Sequence, residues 1–182
     1  MLWTYLRTKF AGNSWNIPVA NLSQVVRDRI YRSAAPDGKA LRALYKQFGL
    51  KSILDLRKNS DLGTTRSSSK GKAYQEYLGT CRELGIEMFR IPMVDTEPVS
   101  AETADKILAL LEDPDNYPIL VHCVGGRHRT GFAIAWYRVH HEDVMPYDAW
   151  DEACDKGYYR AFSHGPIEDS FFELLGYAPP ED

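Results

Sequence analysis

Apolar residues along the chain follow two different spacings. Short β-branched or leucine-rich runs bounded by turn residues predict buried strands at 51–56, 86–91 and 118–121, with 25–32 as one strand or a short hairpin. Apolar residues that recur every three or four positions predict helices. The first predicted helix begins within 33–37 and ends at Gly49. The others are 73–84, 101–111, 130–141, 146–156 and 167–175. Strands alternating with helices favour an α/β fold with a mostly parallel central sheet flanked by helices.

Three segments lack either spacing. Residues 1–23 have no clear period and predict an irregular N-terminal wrap, and the Pro-rich residues 176–182 predict a frayed tail. Residues 57–72 are polar, basic and rich in Gly and Ser, which predicts a mobile loop. Neither a repeat nor a long linker divides the sequence, so the 182 residues are expected to form a single domain.

Composition narrows the classes of protein. A hydrophobic fraction of 44% and a charged fraction of 26% are ordinary for a soluble globular protein, and the net charge of −3 argues against a nucleic-acid partner. We expect no integral membrane segment, since no apolar stretch is long enough. Cys81, Cys123 and Cys154 fit neither a disulfide framework nor a zinc site. A cytoplasmic, reducing location is therefore expected, unless an upstream leader was removed.

The stretch 122–131, His-Cys-Val-Gly-Gly-Arg-His-Arg-Thr-Gly, lies between a predicted buried strand and a predicted helix. Gly125 and Gly126 allow successive backbone N–H groups to turn inward, and the following helix points its positive end into the same hollow. A tetrahedral dianion would fit there. The expected phosphate-binding residues are Val124, Gly125, Gly126, Arg127, His128 and Arg129.

Cys123 and Arg129 indicate the chemistry of this loop. A free thiol has a pKa of about 8.5, but inward N–H groups, a helix N-terminus and a guanidinium favour the thiolate. Such a thiolate can attack phosphorus while Arg129 holds two oxygens. Thr130 is placed to assist the sulfur as it leaves, and Asp95, after a predicted strand, is the favoured general acid, with Glu97 as its rival. No cofactor and no metal is required.

Two further residues are expected to support this site. We expect His122 to form structural hydrogen bonds behind the thiolate, and Arg57 to be either a solvated strand end or a second substrate contact. Ligands of parallel sheets gather outside the carboxyl ends of the strands. Arg57, the loop 92–99 and the loop 123–129 are therefore expected to meet on one rim.

The pattern His122-Cys123-x5-Arg129-Thr130-Gly131 resembles the signature of cysteine-based protein tyrosine and dual-specificity phosphatases. The Asp95 loop and the opening 31–36, Tyr-Arg-Ser-Ala-Ala-Pro, are similar to those of small bacterial members. The resemblance covers roughly residues 25–141. It implies a dual-specificity-phosphatase-like fold in which Cys123 is the nucleophile, Arg129 the phosphate clamp, Thr130 the leaving-group helper and Asp95 the acid.

The predicted function is hydrolysis of phosphate monoesters, phosphotyrosine or dual-specificity, through a phosphocysteine intermediate. Arg127 and His128 make the loop more basic than phosphotyrosine requires, and similar basic loops occur in plant and fungal atypical dual-specificity phosphatases that act on inositol pyrophosphates. A phosphoinositide or an inositol polyphosphate or pyrophosphate is therefore an alternative substrate. The expected partner is a phosphorylated protein or a phosphorylated inositol or lipid.

Two other classes of function stay open from the sequence. One is a catalytically silent pseudophosphatase that binds phosphate without turnover. The other is sulfur or arsenate redox chemistry, with Cys81 or Cys154 as a resolving thiol.

Overall fold

The structure is a computed structural model that describes residues 15–63, 65, 67–160 and 165–180. Its strands are β1 (Ser23–Val26), β2 (Ile30–Ser33), β3 (Ser52–Asp55), β4 (Glu87–Arg90) and β5 (Ile119–His122). Its helices are α1 (Gly38–Phe48), α2 (Ser69–Leu84), α3 (Ala101–Glu112), α4 (His128–Glu142), α5 (Pro146–Asp155) and α6 (Gly165–Leu175). None of the helices in these ranges combines the length and the apolar character needed to cross a bilayer.

The strands form one sheet in the order β1-β2-β5-β3-β4. β1 is antiparallel to β2, so residues 25–32 belong to a hairpin, while all the other pairings are parallel. This confirms the predicted α/β fold with a mostly parallel sheet. Register places Asp55 opposite both His122 and Arg90, and Ser33 opposite His122. The carboxyl ends of four strands therefore lie side by side on one rim.

Alternate strand residues bury themselves in two apolar cores, one on each face of the sheet. In β5, Ile119 and Val121 join the core formed with α3, α4, α5 and α6, whereas Leu120 joins the core formed with α1 and α2. This alternation follows from the two-residue period of a strand. Residues 129–137 of α4 are all buried, because α4 is covered by neighbouring helices as well as by the sheet. The helix that follows the loop 123–127 is therefore held in place by packing on several sides.

Local signals in the sequence set several helix ends. The Asp37 side chain accepts a hydrogen bond from the Ala40 amide, and Gly49 ends α1 in the left-handed conformation with φ of 63°. Ser100 caps α3 in the same way by accepting from the Thr103 amide. Such side chains satisfy backbone donors that a helix start leaves unpaired. The predicted helix positions are confirmed to within a few residues.

The prediction of one loop over residues 57–72 is wrong. Asn59–Leu62 form a 3-10 helix, and Leu62 is buried. Ser68 accepts a hydrogen bond from the Gly71 amide and starts α2 at Ser69, four residues before the predicted start at residue 73. The serine-rich composition that indicated a loop supplies the helix cap instead. Residues 64 and 66 of this segment, with 1–14 of the predicted N-terminal wrap and 181–182 of the tail, lie outside the described residues.

Candidate active site

The loop between β5 and α4, residues 123–127, has its carbonyl groups turned outward. Each of the first four carbonyl oxygens accepts a hydrogen bond from a different part of the protein. The pairs are Cys123 O with His122 Nδ1 at 3.1 Å, Val124 O with Ala35 N at 3.0 Å, Gly125 O with Asn21 Nδ2 at 2.6 Å, and Gly126 O with Arg32 Nη2 at 2.9 Å. Because each peptide group points its N–H opposite to its C=O, these contacts direct amides toward the hollow.

The amides on the inner side are available to a ligand. Those of Val124, Gly125 and Gly126 donate to no acceptor within the described part of the chain. The amides of Arg127 and Thr130 point at the sulfur of Cys123. Together with the N-terminus of α4 they form a concave group of donors of the kind that binds anions.

Gly126 is required by geometry. Its φ is 67°, and a Cβ at this position would lie only 2.4 Å from the carbonyl carbon and oxygen of Ser33. The loop therefore packs directly against the end of β2. At Gly125 a Cβ would meet nothing within 4 Å, so close packing explains only the second glycine of the pair.

Cys123 lies at the floor of the loop and is only 3% exposed. Burial by itself raises the pKa of the thiol, but the Thr130 hydroxyl, the Arg129 guanidinium and the amides of Thr130 and Arg127 together lower it below its ordinary value. Hydrogen bonds and positive charge outweigh desolvation here. The site thus favours a thiolate, the reactive form of cysteine.

Arg129 forms one wall of the site, and its guanidinium is held by groups that the sequence did not indicate. Its Nη1 donates to Asp61 Oδ2 at 2.7 Å and to the Met93 carbonyl at 3.3 Å, and its side chain is 5% exposed. The Asp61 carboxylate also accepts from the Lys58 amide. From the sequence one can expect only that a buried arginine needs a counter-ion. The sequence does not indicate which acidic residue supplies it.

Asp95 lies on the same rim and forms an ion pair. Its Oδ1 is 2.7 Å from Lys58 Nζ, and its side chain is 24% exposed. Burial raises the pKa of Asp95, but the bond from Lys58 and the charge of Arg129 bring it below its usual range. Its rival Glu97 is exposed in the turn that follows. Asp95, on which the charge of Arg129 acts, is the partly buried one of the two candidate acids.

His122 is completely buried behind Cys123. Its Nε2 accepts a hydrogen bond from Tyr77 Oη at 2.8 Å, and its Nδ1 donates to the Cys123 carbonyl. Burial lowers the pKa of His122 to about 4, despite Asp55 at 3.9 Å. The imidazole is therefore neutral near pH 7 and serves as a structural bridge between α2 and the loop.

Arg57 is not a solvated strand end, and part of its guanidinium is already occupied by Asp55. Its Nε and Nη2 donate to the two carboxylate oxygens of Asp55 at 2.9 and 2.7 Å, and its guanidinium lies 4.9 Å from the centre of the Tyr77 ring. The side chain is 11% exposed. Arg57 therefore neutralises the buried Asp55 and supports the residues beneath His122.

The two basic residues inside the loop have different surroundings. Arg127 is exposed, and its aliphatic part lies against Gly157, 3.4 Å from where a Cβ would stand. His128 is half-buried against the rings of Tyr158 and Tyr159, with centroids 5.1 and 4.6 Å apart. Arg127 thus lies at the surface beside Gly157, while His128 contacts the segment that follows α5.

The other two thiols are poorly suited to partner Cys123. Cys81 belongs to the core with α1 and α2, whereas Cys123 belongs to the core on the opposite face of the sheet. Burial raises the pKa of both Cys81 and Cys154 to about 11. These positions and pKa values argue against thiol–disulfide chemistry, because a resolving thiol must reach the first and ionise.

The sheet, the inward amides and the Cys123–Arg129 spacing define the class of α/β proteins that bind an oxyanion over a reactive thiolate. A family model described as "DSP-PTPase phosphatase fused to NAD+ Kinase" matches residues 15–173, and the chain belongs to this family. The resemblance to cysteine-based phosphatases that the loop indicated is thereby confirmed.

Similar proteins agree with this assignment. Inositol diphosphatase SIW14 of Saccharomyces cerevisiae is 33% identical over 126 residues, which are 67% of this chain and 40% of SIW14. Tyrosine-protein phosphatase-like protein OCA2 of the same yeast is 30% identical over 128 residues, 67% of this chain and 58% of OCA2. The crystal structure of the SIW14 core catalytic domain with citrate superposes with a TM-score of 0.66 at 28% identity, covering 88% of this chain and 93% of that domain. The chain thus matches less than two thirds of either curated relative.

Proposed function

We propose that this protein is a cysteine-dependent phosphatase that hydrolyses phosphate monoesters through a phosphocysteine intermediate. The observation that carries the proposal is the Cys123 thiol, whose pKa is lowered at the centre of inward amides and beside Arg129. Cys123, Arg129 and Thr130 occur together, which favours turnover over a silent phosphate-binding role. A pseudophosphatase would bind phosphate without a burst of phosphoenzyme.

In the first step the loop amides and Arg129 bind the phosphate oxygens, and Cys123 Sγ attacks phosphorus as the bond to the leaving oxygen breaks. Asp95 donates the proton that the leaving oxygen takes up. In free protein Lys58 and Arg129 keep the pKa of Asp95 low; a bound phosphate dianion opposes both cations and raises it. Substrate binding thus helps to protonate the acid that the reaction needs.

In the second step a water molecule attacks the phosphocysteine, and Asp95 accepts its proton as general base. The phosphorus–sulfur bond breaks and the thiolate returns. Thr130, whose buried hydroxyl is among the groups that lower the pKa of the Cys123 thiol, stabilises the charge on the departing thiolate. The amides hold the same three oxygens throughout, so the loop need not rearrange between steps.

The test is hydrolysis of an aryl phosphate by the wild type, Cys123→Ser and the matched control Cys154→Ser. We expect activity that vanadate inhibits and a chelator leaves unchanged, lost in Cys123→Ser and retained in Cys154→Ser, because Cys154 is an exposed free thiol on α5 and not part of the loop 123–127. Full activity in Cys123→Ser, or loss of activity with chelator, would refute the proposal.

A second candidate substrate class is the inositol polyphosphates, including pyrophosphates. Arg127 is exposed beside the loop, where its charge can meet a second phosphate on a crowded substrate. The SIW14 relative is named an inositol diphosphatase. A panel of phosphotyrosine peptides, phosphoinositides and inositol polyphosphates tests the choice. If the polyphosphates are substrates, Arg127→Gln lowers their kcat/KM far more than that of an aryl phosphate; an equal loss on both contradicts the role of Arg127.

We also propose a reducing, cytoplasmic location for this activity. All three cysteines are free, and the mechanism needs Cys123 as a thiolate. Such a site is protected where glutathione and thioredoxin keep thiols reduced.

A further inference from the structure

Arg32 is a buried arginine at the end of β2 with few hydrogen-bond partners. It pairs with Val121 in the sheet and is 1% exposed. Its Nη2 donates to the Gly126 carbonyl at 2.9 Å. Its Nε and Nη1 are buried and have no hydrogen-bond partner among the described residues. A guanidinium carries five donors, so most of this group's capacity is unused by the protein.

Among the residues that the structure describes, no carboxylate is hydrogen-bonded to Arg32. The charged groups that act on it are Glu152 from α5, Arg138 from α4 and Cys123 from the loop. Glu152 already accepts two hydrogen bonds from Arg138, at 2.9 and 3.2 Å. Burial lowers the pKa of Arg32 only to about 10, so it remains a cation at neutral pH. A buried cation without a paired anion is costly.

Cys123 is the remaining acidic group in this set. The loop backbone at Gly126 rests on the end of β2, which brings Arg32 directly behind the loop. Arg129 and Thr130 of α4 act on Cys123, the charges of Arg32 and Cys123 attract each other, and His122 of β5 is neutral behind the sulfur. Arg129 lies on the rim side of the loop, where it contacts Asp61 and the Met93 carbonyl, whereas Arg32 lies on the other side, at the outward Gly126 carbonyl.

We infer that Arg32 is a positioning residue of the site: its buried charge stabilises the Cys123 thiolate from behind the loop, while its bond to Gly126 holds the loop amides inward. It touches no substrate. The inference rests on the proposed function only in taking the thiolate as the working form of Cys123. In return, the thiolate balances the buried positive charge of Arg32. In the phosphocysteine intermediate, the bound phosphate takes over this role.

The test measures the rate of iodoacetamide alkylation of Cys123 against pH, followed by mass spectrometry of its peptide. Arg32→Met removes the charge at similar volume, and we expect the alkylation midpoint to rise by about one pH unit. Arg32→Lys keeps a charge but loses the fork, and its midpoint stays close to that of the wild type. Phe172→Leu is the control for lost stability, because Phe172 is buried on α6 against Tyr147 and Trp150 of α5.

An unchanged midpoint in Arg32→Met, or an equal rise in Arg32→Lys, overturns the inference, because the charge would then be irrelevant. If Arg32→Met folds poorly, its effect is measured as unfolding free energy in Cys123 and Cys123→Ser backgrounds above the thiol pKa. We expect Arg32→Met to lower the unfolding free energy less in the Cys123→Ser background than in the Cys123 background. The difference should equal the shift of the alkylation midpoint converted to energy, about 1.4 kcal/mol per pH unit. Equal penalties overturn the inference. Alkylation needs no turnover, so these results hold even if the phosphatase proposal fails.

Discussion

At the scale of single residues, the contact between Asp61 and Arg129 has the clearest functional meaning. Arg129 can bind two phosphate oxygens only if its planar fork is turned toward the loop. The Asp61 carboxylate, 2.7 Å from Nη1, takes one edge of that fork and leaves the other available. Asp61 is itself fixed by the Lys58 amide. We therefore propose that Asp61 orients Arg129, the phosphate clamp of the proposed mechanism.

Asp61→Ala should lower kcat/KM for an aryl phosphate by about 10- to 100-fold, because misorientation of a clamp by even a small distance is costly. The inhibition constant of inorganic phosphate should rise as well, since the same fork binds it. Steady-state kinetics with phosphate as inhibitor measure both. The control is Asp105→Asn, an exposed acid on α3. An Asp61→Ala enzyme with normal phosphate inhibition would contradict the orienting role.

At the scale of elements, the anion-binding loop depends on how β5, α4 and the end of β2 meet. The two glycines of the loop differ sharply in this respect. Gly126 has a positive φ and no room for a Cβ, whereas Gly125 opens onto empty space. Only the former is demanded by packing between the loop and β2.

Gly126→Ala should therefore reduce the unfolding free energy by more than about 2 kcal/mol and abolish activity, because both its φ and the contact with Ser33 must change. Gly125→Ala should cost less than about 1 kcal/mol and serves as the matched control. Urea denaturation and aryl phosphate hydrolysis measure the pair. Similar losses in the two variants would show that the contact with β2 is unimportant.

Elements of the fold could be predicted where the signal is local. The spacing of Leu41 and Leu44 with Gly49 marked α1, and the Cys123 to Arg129 pattern marked the anion-binding loop. The segment 57–72 was missed because the burial of Leu62 and the ion pair of Asp61 depend on partners far along the chain. The polar composition of this segment does not show which residues its side chains contact, and one of those contacts is with Arg129, far along the chain.

At the scale of the whole molecule, three elements are joined beneath the site by buried polar groups. Tyr77 of α2 donates to His122 of β5, and Asp55 of β3 lies 3.9 Å from the same ring. Sequence indicated His122 as a structural hydrogen-bonder but gave no partner, because Tyr77 is brought near only by packing of α2 on the sheet. Because the buried His122 ring is neutral, the unfolding free energy of the protein depends on pH.

The unfolding free energy should fall as pH drops from 6.5 to about 4, because unfolded His122 binds a proton that the folded ring excludes. The full contribution is about 3 kcal/mol, present above pH 6.5 and lost by the folded pKa. Asp55, whose pKa is lowered by Arg57 and His122 despite burial, adds a loss at still lower pH. Urea denaturation across this range should show a flatter curve for His122→Gln, whereas the control His141→Gln should match the wild type. A wild-type curve that is flat across this range would contradict the prediction.

The outward carbonyl groups of the loop connect the ligand-binding side of the loop with the residues on its outer side. The Val124 carbonyl accepts from the Ala35 amide, and the Gly125 carbonyl accepts from Asn21, which lies just before the hairpin. An anion that pulls electron density toward the inner N–H groups polarises the same peptide bonds and strengthens their outer hydrogen bonds. We therefore expect binding of an anion in the loop to slow the exchange of the Ala35 amide proton with solvent, which hydrogen-exchange measurements can check. Ala35 and Asn21, which flank the hairpin, would then report occupancy of the loop from its outer side.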